Sequence, residues 1–344
     1  MSANMTVLPS RTAEMTPALF LSWELTYLIS RMCFYVVYPC FGLIGILGNV
    51  TNIVILTRQG FRKCSNILLW SLAVSDCLFL IGINNVPGHI YTEYKGFRFS
   101  ETLNFACFVL YILFICVSDI GLFASVIIPV LITGERILAI FVPFQANLIL
   151  TPRRMVIVLS CLYLVDGILF TYNVILSDQL KNFLVNGVTV GVIVDSDMRI
   201  IHDRSGVKRL IDHISNYVTG VIPISLVTVG CVVIGLRIVQ ITNRRRKLTS
   251  KLAKASTKLG ITKTTKTLLK ICLLYTVCYG SSFIGVYVSQ SKLLEQQLPT
   301  RMIIFPFQQI VLCLNCVGNF LIYLDSRNGF RKLIIVCRKI KTSR

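Results

Sequence analysis

An all-α membrane protein, a seven-transmembrane helix bundle with a short amphipathic eighth helix, is the fold class this sequence predicts. The first observation is composition: of 344 residues 54% are apolar and only 15% charged, which is a membrane balance. The second is pattern, because the apolar residues gather into seven runs, each long enough to cross a bilayer as a helix of about 20 residues. The third is charge: segments 58–65, 141–154, 237–270 and 325–344 hold 23 Lys or Arg against one acid, Asp325. The opposite side holds 11 basic and 10 acidic residues. Such asymmetry in short loops predicts that the basic side faces the cytosol and the N-terminus lies outside.

The spans fall near 34–57, 66–87, 105–140, 155–176, 212–241, 265–289 and 301–324. Residues 1–33 then form an extracellular N-terminus, 34–324 one membrane domain, and 325–344 a cytosolic eighth helix and tail. The longest loop, 177–211, is a modest insert, so no separate soluble domain is expected. The first 33 residues lack a basic region ahead of a long apolar stretch, which argues against a cleaved signal peptide. They carry one glycosylation acceptor, Asn4-Met5-Thr6, on the side expected outside. The similar triplet at Asn49 lies inside the first span and is not expected to be modified. Arg244-Arg245-Arg246-Lys247 directly continues the fifth span, so it reads as contact with anionic lipid rather than nucleic acid. Thirteen cysteines lie mostly within spans, where the default role is a small apolar side chain.

Polar residues placed at depth say more than the hydrophobicity. Asn49 lies in the first span, Asp76 in the second, Asp119 and Ser125 in the third, Asp166 in the fourth, and Asn315 and Asn319 in the seventh. A buried carboxylate needs a partner, and no deep Lys or Arg is at hand for Asp76. The two physical solutions are a proton on the acid or a cation ringed by oxygens. Glu135-Arg136 closes the third span. A charge pair at a membrane edge is costly, so it reads as a switch, with a static ion pair as the plain alternative.

Taken together, these motifs resemble the rhodopsin-like, class A, G-protein-coupled receptors. Gly48-Asn49 resembles the family's first-helix pair, and Leu72-Ala73-Val74-Ser75-Asp76 its second-helix run. Glu135-Arg136 with Pro143 resembles the switch and its following proline. Pro223 matches the fifth-helix proline, Asn319 and Tyr323 keep the seventh-helix spacing, and Phe330 with basic neighbours resembles the eighth helix. The resemblance implies a receptor at the plasma membrane that binds an extracellular peptide or small molecule and activates a heterotrimeric G protein. It implies an activation switch of Glu135, Arg136, Asn319, Tyr323 and Tyr279, and a sodium pocket of Asp76, Ser125, Asn315 and Asn319. A hydrogen-bond network without sodium is the alternative there. No enzyme chemistry and no other cofactor are expected.

Several residues depart from the family pattern. Phe320 replaces the seventh-helix proline, so the kink loses its usual cause. Cys278-Tyr279-Gly280-Ser281 lacks the sixth-helix hinge proline, the fourth span has no tryptophan, and Cys231 stands where a tyrosine is usual. Ile261 and Lys263 occupy the base of the sixth span, where an acid would lock Arg136. Cys107 lies 29 residues before Arg136, farther than the pattern, and the interval 177–230 has no cysteine to pair with it. Cys33 or Cys40 is the remaining candidate partner.

At the opposite end of the bundle, Asp119, Tyr279 and Phe283 are the expected ligand contacts. The position that amine receptors use falls on Ser118 when counted from Arg136, and one residue is about 100° around a helix. Asp119 is therefore expected to point away from that position; a packed or protonated acid near Asp166, polar contacts with another ligand, and amine pairing are the readings open for it. A retinal Schiff base is excluded because no lysine occurs between 301 and 324. Outer residues such as Tyr91, Glu93, Phe97, Asp195 and Arg199 read either as a surface for a peptide or polar small molecule or, more plainly, as solvated loops. Cys337, past the eighth helix, is a lipidation candidate. The weak motifs resemble divergent chemosensory and neuropeptide-type receptors of invertebrates, while a seven-helix ligand-gated channel or a transporter is the alternative class.

Overall fold

The computed structural model describes residues 21–175, 178–249, 263–289, 291 and 298–326. Among these, seven helices are long and apolar enough to cross a membrane: Trp23–Gln59, Cys64–Tyr94, Glu101–Phe141, Pro152–Tyr172, Val207–Ile241, Lys266–Ser289 and Leu298–Leu324. Asn4, Ile261, Phe330 and Cys337, and with them the expected eighth helix, lie outside the described residues.

The type of every span agrees with the sequence, but several ends move. The first helix begins at Trp23 rather than near 34, because Ser22 caps it through the Leu25 N–H and Glu24 sits in its first turn. A π turn at Cys33–Val37 joins its two parts. The third helix starts at Glu101 on a Ser100 cap and runs 41 residues to Phe141. Pro143 then opens a separate short helix to Ile149, since proline suits a first turn. The fifth helix continues to Thr249, carrying the basic run with it. The seventh runs Leu298–Ser326 without a break at Phe320, and its interior proline is Pro306.

Small residues set the closest approaches. A Cβ on Gly121 would fall on the Phe79 backbone nitrogen, and one on Gly82 on the Ser118 backbone nitrogen, so the second and third helices touch backbone to backbone. Gly48 leaves the space that the Phe320 ring fills, which accounts for the missing proline: an aromatic ring docks on the first helix there. The fourth helix has no tryptophan; the Tyr163 hydroxyl bonds Ser71 Oγ at 3.0 Å and Ser75 Oγ at 2.9 Å on the second helix. Apolar side chains such as Leu43, Leu47, Leu164 and Val229 are exposed on the bundle's outside, as a lipid-facing shell requires.

The expected loop 177–211 is instead structured. Strands β1 (Asp178–Val185) and β2 (Val188–Asp195) pair antiparallel around Asn186-Gly187, both at positive φ of 52° and 77°, the hairpin turn that this dipeptide favours. A short helix, Asp197–Ser205, follows. The hairpin is pinned to the top of the bundle. Phe97 and Gly191 exchange backbone hydrogen bonds of 2.9 and 2.7 Å, while Asn104 accepts from the Phe99 N–H at 3.0 Å and donates to Asn182 Oδ1 at 3.1 Å. Phe97 is fully buried, not solvated. Glu93 pairs with Arg31 at 2.7 Å, and Arg199 with Asp178 and Asp195 at 3.2 and 2.9 Å. Burial raises the Asp178 carboxyl pKa above its ordinary value, and Arg199 opposes that shift. Every cysteine among the described residues is free, Cys107 included. Four hydrogen bonds at about 0.5–1.5 kcal/mol each rival the roughly 2–4 kcal/mol a disulfide would contribute.

Candidate functional site

Three polar constellations sit along the bundle. At the end of the third helix, Arg136 donates from one guanidinium nitrogen to both Glu135 oxygens at 3.1 Å. The two side chains are 14% and 12% exposed, so solvent screens them little. Arg136 Nε is buried without a partner, leaving one donor of the fork unused. Close by, Cys231 on the fifth helix sits against Cys272 on the sixth, and the Cys272 sulfur lies 3.4 Å from Thr133 Oγ1 on the third. This thiol pair occupies the place where the family pattern has tyrosine.

At mid-bundle, Asp76 is fully buried. Ser125 Oγ donates to its Oδ1 at 3.1 Å and Asn319 Nδ2 to its Oδ2 at 3.0 Å. Asn49 Nδ2 bridges to the Cys316 carbonyl at 3.2 Å, tying the first helix to the seventh. The expected fourth member, Asn315, is buried, but no bond joins its Oδ1 to this cluster; that oxygen is unpaired. The Cys316 thiol is the group found against Asp76 instead. Spacing puts both Asn315 and Cys316, four and three residues before Asn319, on its helix face, so the sequence did not single out the thiol. A void of about 10 Å³ adjoins Asp76, Asn49 and Asn319, space for about one water. Tyr323 is buried, and its hydroxyl accepts from Gln59 Nε2 at 3.2 Å. Gln59, the last residue of the first helix, had no signal beyond being polar at a span's end.

At the other end a cavity of about 670 Å³ opens among the third, fourth, fifth, sixth and seventh helices. Its wall includes all three expected contacts, Asp119, Tyr279 and Phe283. The register expectation for the third helix is corrected here: Ser118 packs on Gly82, and Asp119 faces the cavity. The two neighbours differ by about 100° around one continuous helix, so with Ser118 turned to the second helix it is Asp119 that turns to the cavity. Tyr279 packs ring to ring on Tyr275 at 4.6 Å, at the cavity floor above the Asp76 cluster. Asp166 joins the wall as well.

A seven-helix bundle with a charge pair closing its third helix, a polar cluster at its centre and a cavity at the far end has the layout of membrane receptors. The chain matches the family described as 7 transmembrane receptor (rhodopsin family) over residues 48–323, and it belongs to that family. It is 26% identical to neuromedin-U receptor 2 of Rattus norvegicus over 252 residues, which is 71% of this chain and 59% of that one. With the Homo sapiens form it shares 32% over 154 residues, 44% of this chain and 33% of the other. A probable G-protein coupled receptor of Caenorhabditis elegans is 26% identical over 144 residues, 41% of this chain and 32% of that one. The chain thus spans about three fifths or less of these relatives' lengths. The family is one of receptors, and these relatives include neuropeptide receptors.

Proposed function

We propose that this receptor sits in the plasma membrane with its N-terminus outside, binds an extracellular peptide or small molecule in the large cavity, and activates a heterotrimeric G protein. The observation that carries the reading is the Glu135–Arg136 contact. Glu135 meets Arg136 through two 3.1 Å bonds, in a little-exposed place. A contact of this kind has two available states, and a ligand biases it only by binding one state better. Ligand in the cavity would press on Tyr279 and the sixth helix, whose outward swing would free Arg136 for the G protein. Asp119, Tyr279 and Phe283 would make the ligand contacts, while Asn319 and Tyr323 would relay the change along the seventh helix. The relatives named for neuromedin-U support a peptide ligand, and the acidic cavity wall accommodates one with a basic group. The basic run after the fifth helix would meet anionic lipid, and Cys337 would carry a lipid anchor.

The test is expression in cells with calcium and cAMP reporters, challenged with peptide, amine and odorant panels. Arg136→Ala should abolish the ligand-driven response while leaving surface expression intact. Full coupling by that variant would refute the role given to Arg136.

Asp76, Ser125, Asn315 and Asn319 are proposed to hold a sodium ion. The donor set fits a hard cation, since the unpaired amide oxygens belong to Asn49 and Asn319, which border the void at the carboxylate, and to Asn315 one turn above Asn319. Replacing sodium with N-methylglucamine should lower the melting temperature of the purified chain, and Asp76→Asn should remove that dependence. A melting temperature indifferent to the cation leaves the cluster as a hydrogen-bond network.

A further inference from the structure

Asp166 is the unexplained group of this bundle. It lies midway along the fourth helix, is 6% exposed, and its Oδ2 makes no hydrogen bond. A buried acid without a partner inside a membrane is costly and marks a functional site. The charge that acts on it is Asp119, another acid, so the two repel rather than pair. Both line the large cavity, whose wall contains no lysine or arginine among the described residues. Asp119 is exposed and Asp166 buried, and both border the same cavity. Two carboxylates on a cavity whose wall, among the described residues, has His213 as its only basic side chain define a site for a cation brought from outside.

The surroundings narrow the chemistry further. Phe123, Phe170, Phe283 and Tyr287 present rings to the same space. A compact ammonium is strongly hydrated and satisfied by one carboxylate, whereas a guanidinium is planar, weakly hydrated, stacks on aromatic faces and carries five donors in a fork. Two acids and several rings suit the second. We propose that Asp119 and Asp166 together clamp a guanidinium group of the ligand, Asp119 from its exposed position and Asp166 from its buried one. This rests on reading the cavity as the ligand site and names the ligand's chemical class. The guanidinium has two possible sources, an arginine side chain of a peptide or a small guanidino compound, and a cavity of this size admits either.

The test is thermal stabilisation of the purified full-length chain in lipid nanodiscs, with no G protein present. Agmatine and Nα-acetyl-arginine amide should raise the melting temperature, while Nα-acetyl-citrulline amide, of nearly the same shape but uncharged, should not. Asp119→Asn and Asp166→Asn should each raise the half-saturating concentration of the arginine probe roughly 10- to 100-fold, the loss expected for a charge-assisted bond. If either variant folds poorly, the arginine and citrulline probes on the unmodified chain decide the matter alone. Equal stabilisation by both, or none by any guanidinium probe, overturns the proposal. Tighter binding when the arginine probe is extended by peptide on its N-terminal side marks a peptide source, and unchanged binding a small molecule; both outcomes uphold the clamp. Nucleotide exchange on added G protein separates the two readings. Guanidinium-specific stabilisation without exchange keeps the clamp and refutes coupling. Exchange driven by a panel ligand and indifferent to Asp166→Asn keeps the receptor and refutes the clamp.

Discussion

Among the described residues, Glu135 is the partner that Arg136 bonds. With no acid in the sequence at the base of the sixth span and Cys231 in place of a tyrosine, Glu135 is the group that the structure shows holding it. Charge-assisted bonds of this kind contribute about 1.5–3 kcal/mol, enough to shift a two-state equilibrium roughly 10- to 100-fold. Glu135→Gln should therefore raise ligand-independent nucleotide exchange by up to that factor, measured in membranes without agonist. Exchange at the unmodified level would show that other contacts hold the resting state. The pair itself was legible in the sequence because adjacency needs no folding. The orientation of Asp119 was not, since which of two adjacent positions faces the cavity depends on how the third helix is turned against Gly82 of the second, and only coordinates show that.

Between elements, glycines decide how near the helices come. Gly121 meets the backbone of Phe79 and Ser75 with no flexible side chain between them. Gly121→Ala must push the second and third helices apart and should cost about 1–3 kcal/mol, the usual range for overpacking, read as a fall in melting temperature. Gly235→Ala has nothing within 4 Å and should be neutral or slightly stabilising, since alanine is the better helix former by about 1 kcal/mol. Asn104→Ala removes two of the hydrogen bonds that anchor the outer hairpin. It should cost about 1–3 kcal/mol and speed hydrogen exchange across β1 and β2 more than in the helices. Asn186-Gly187 is a dipeptide that favours a hairpin turn, a local signal that the reading of 177–211 as a loop passes over. Its docking through Phe97, Gly191 and Asn104 carries no local signature, because each partner comes from a different part of the chain.

For the molecule as a whole, orientation follows from charge. Placing 23 basic residues against one acid on one side predicts that side in the cytosol, and Asn4 on the other. A glycosidase should therefore shift the mobility of the expressed chain, and Asn4→Gln should abolish the shift. An unmodified Asn4 in a glycosylating membrane would count against an external N-terminus.

Apolar run length and charge placement by themselves determined that this chain is a seven-helix membrane bundle, and ordered motifs such as Leu72–Asp76 and Glu135-Arg136 determined its resemblance to one receptor family. Those signals are local, since bilayer thickness and adjacency act within a single helix. Tertiary structure alone decided that Phe320 docks on Gly48, that Cys316 stands against Asp76, and that Asp119 and Asp166 border the same space. Each of these is a meeting of side chains from different helices. Small residues, prolines and helix rotation set such meetings jointly, and no one segment of the sequence contains them.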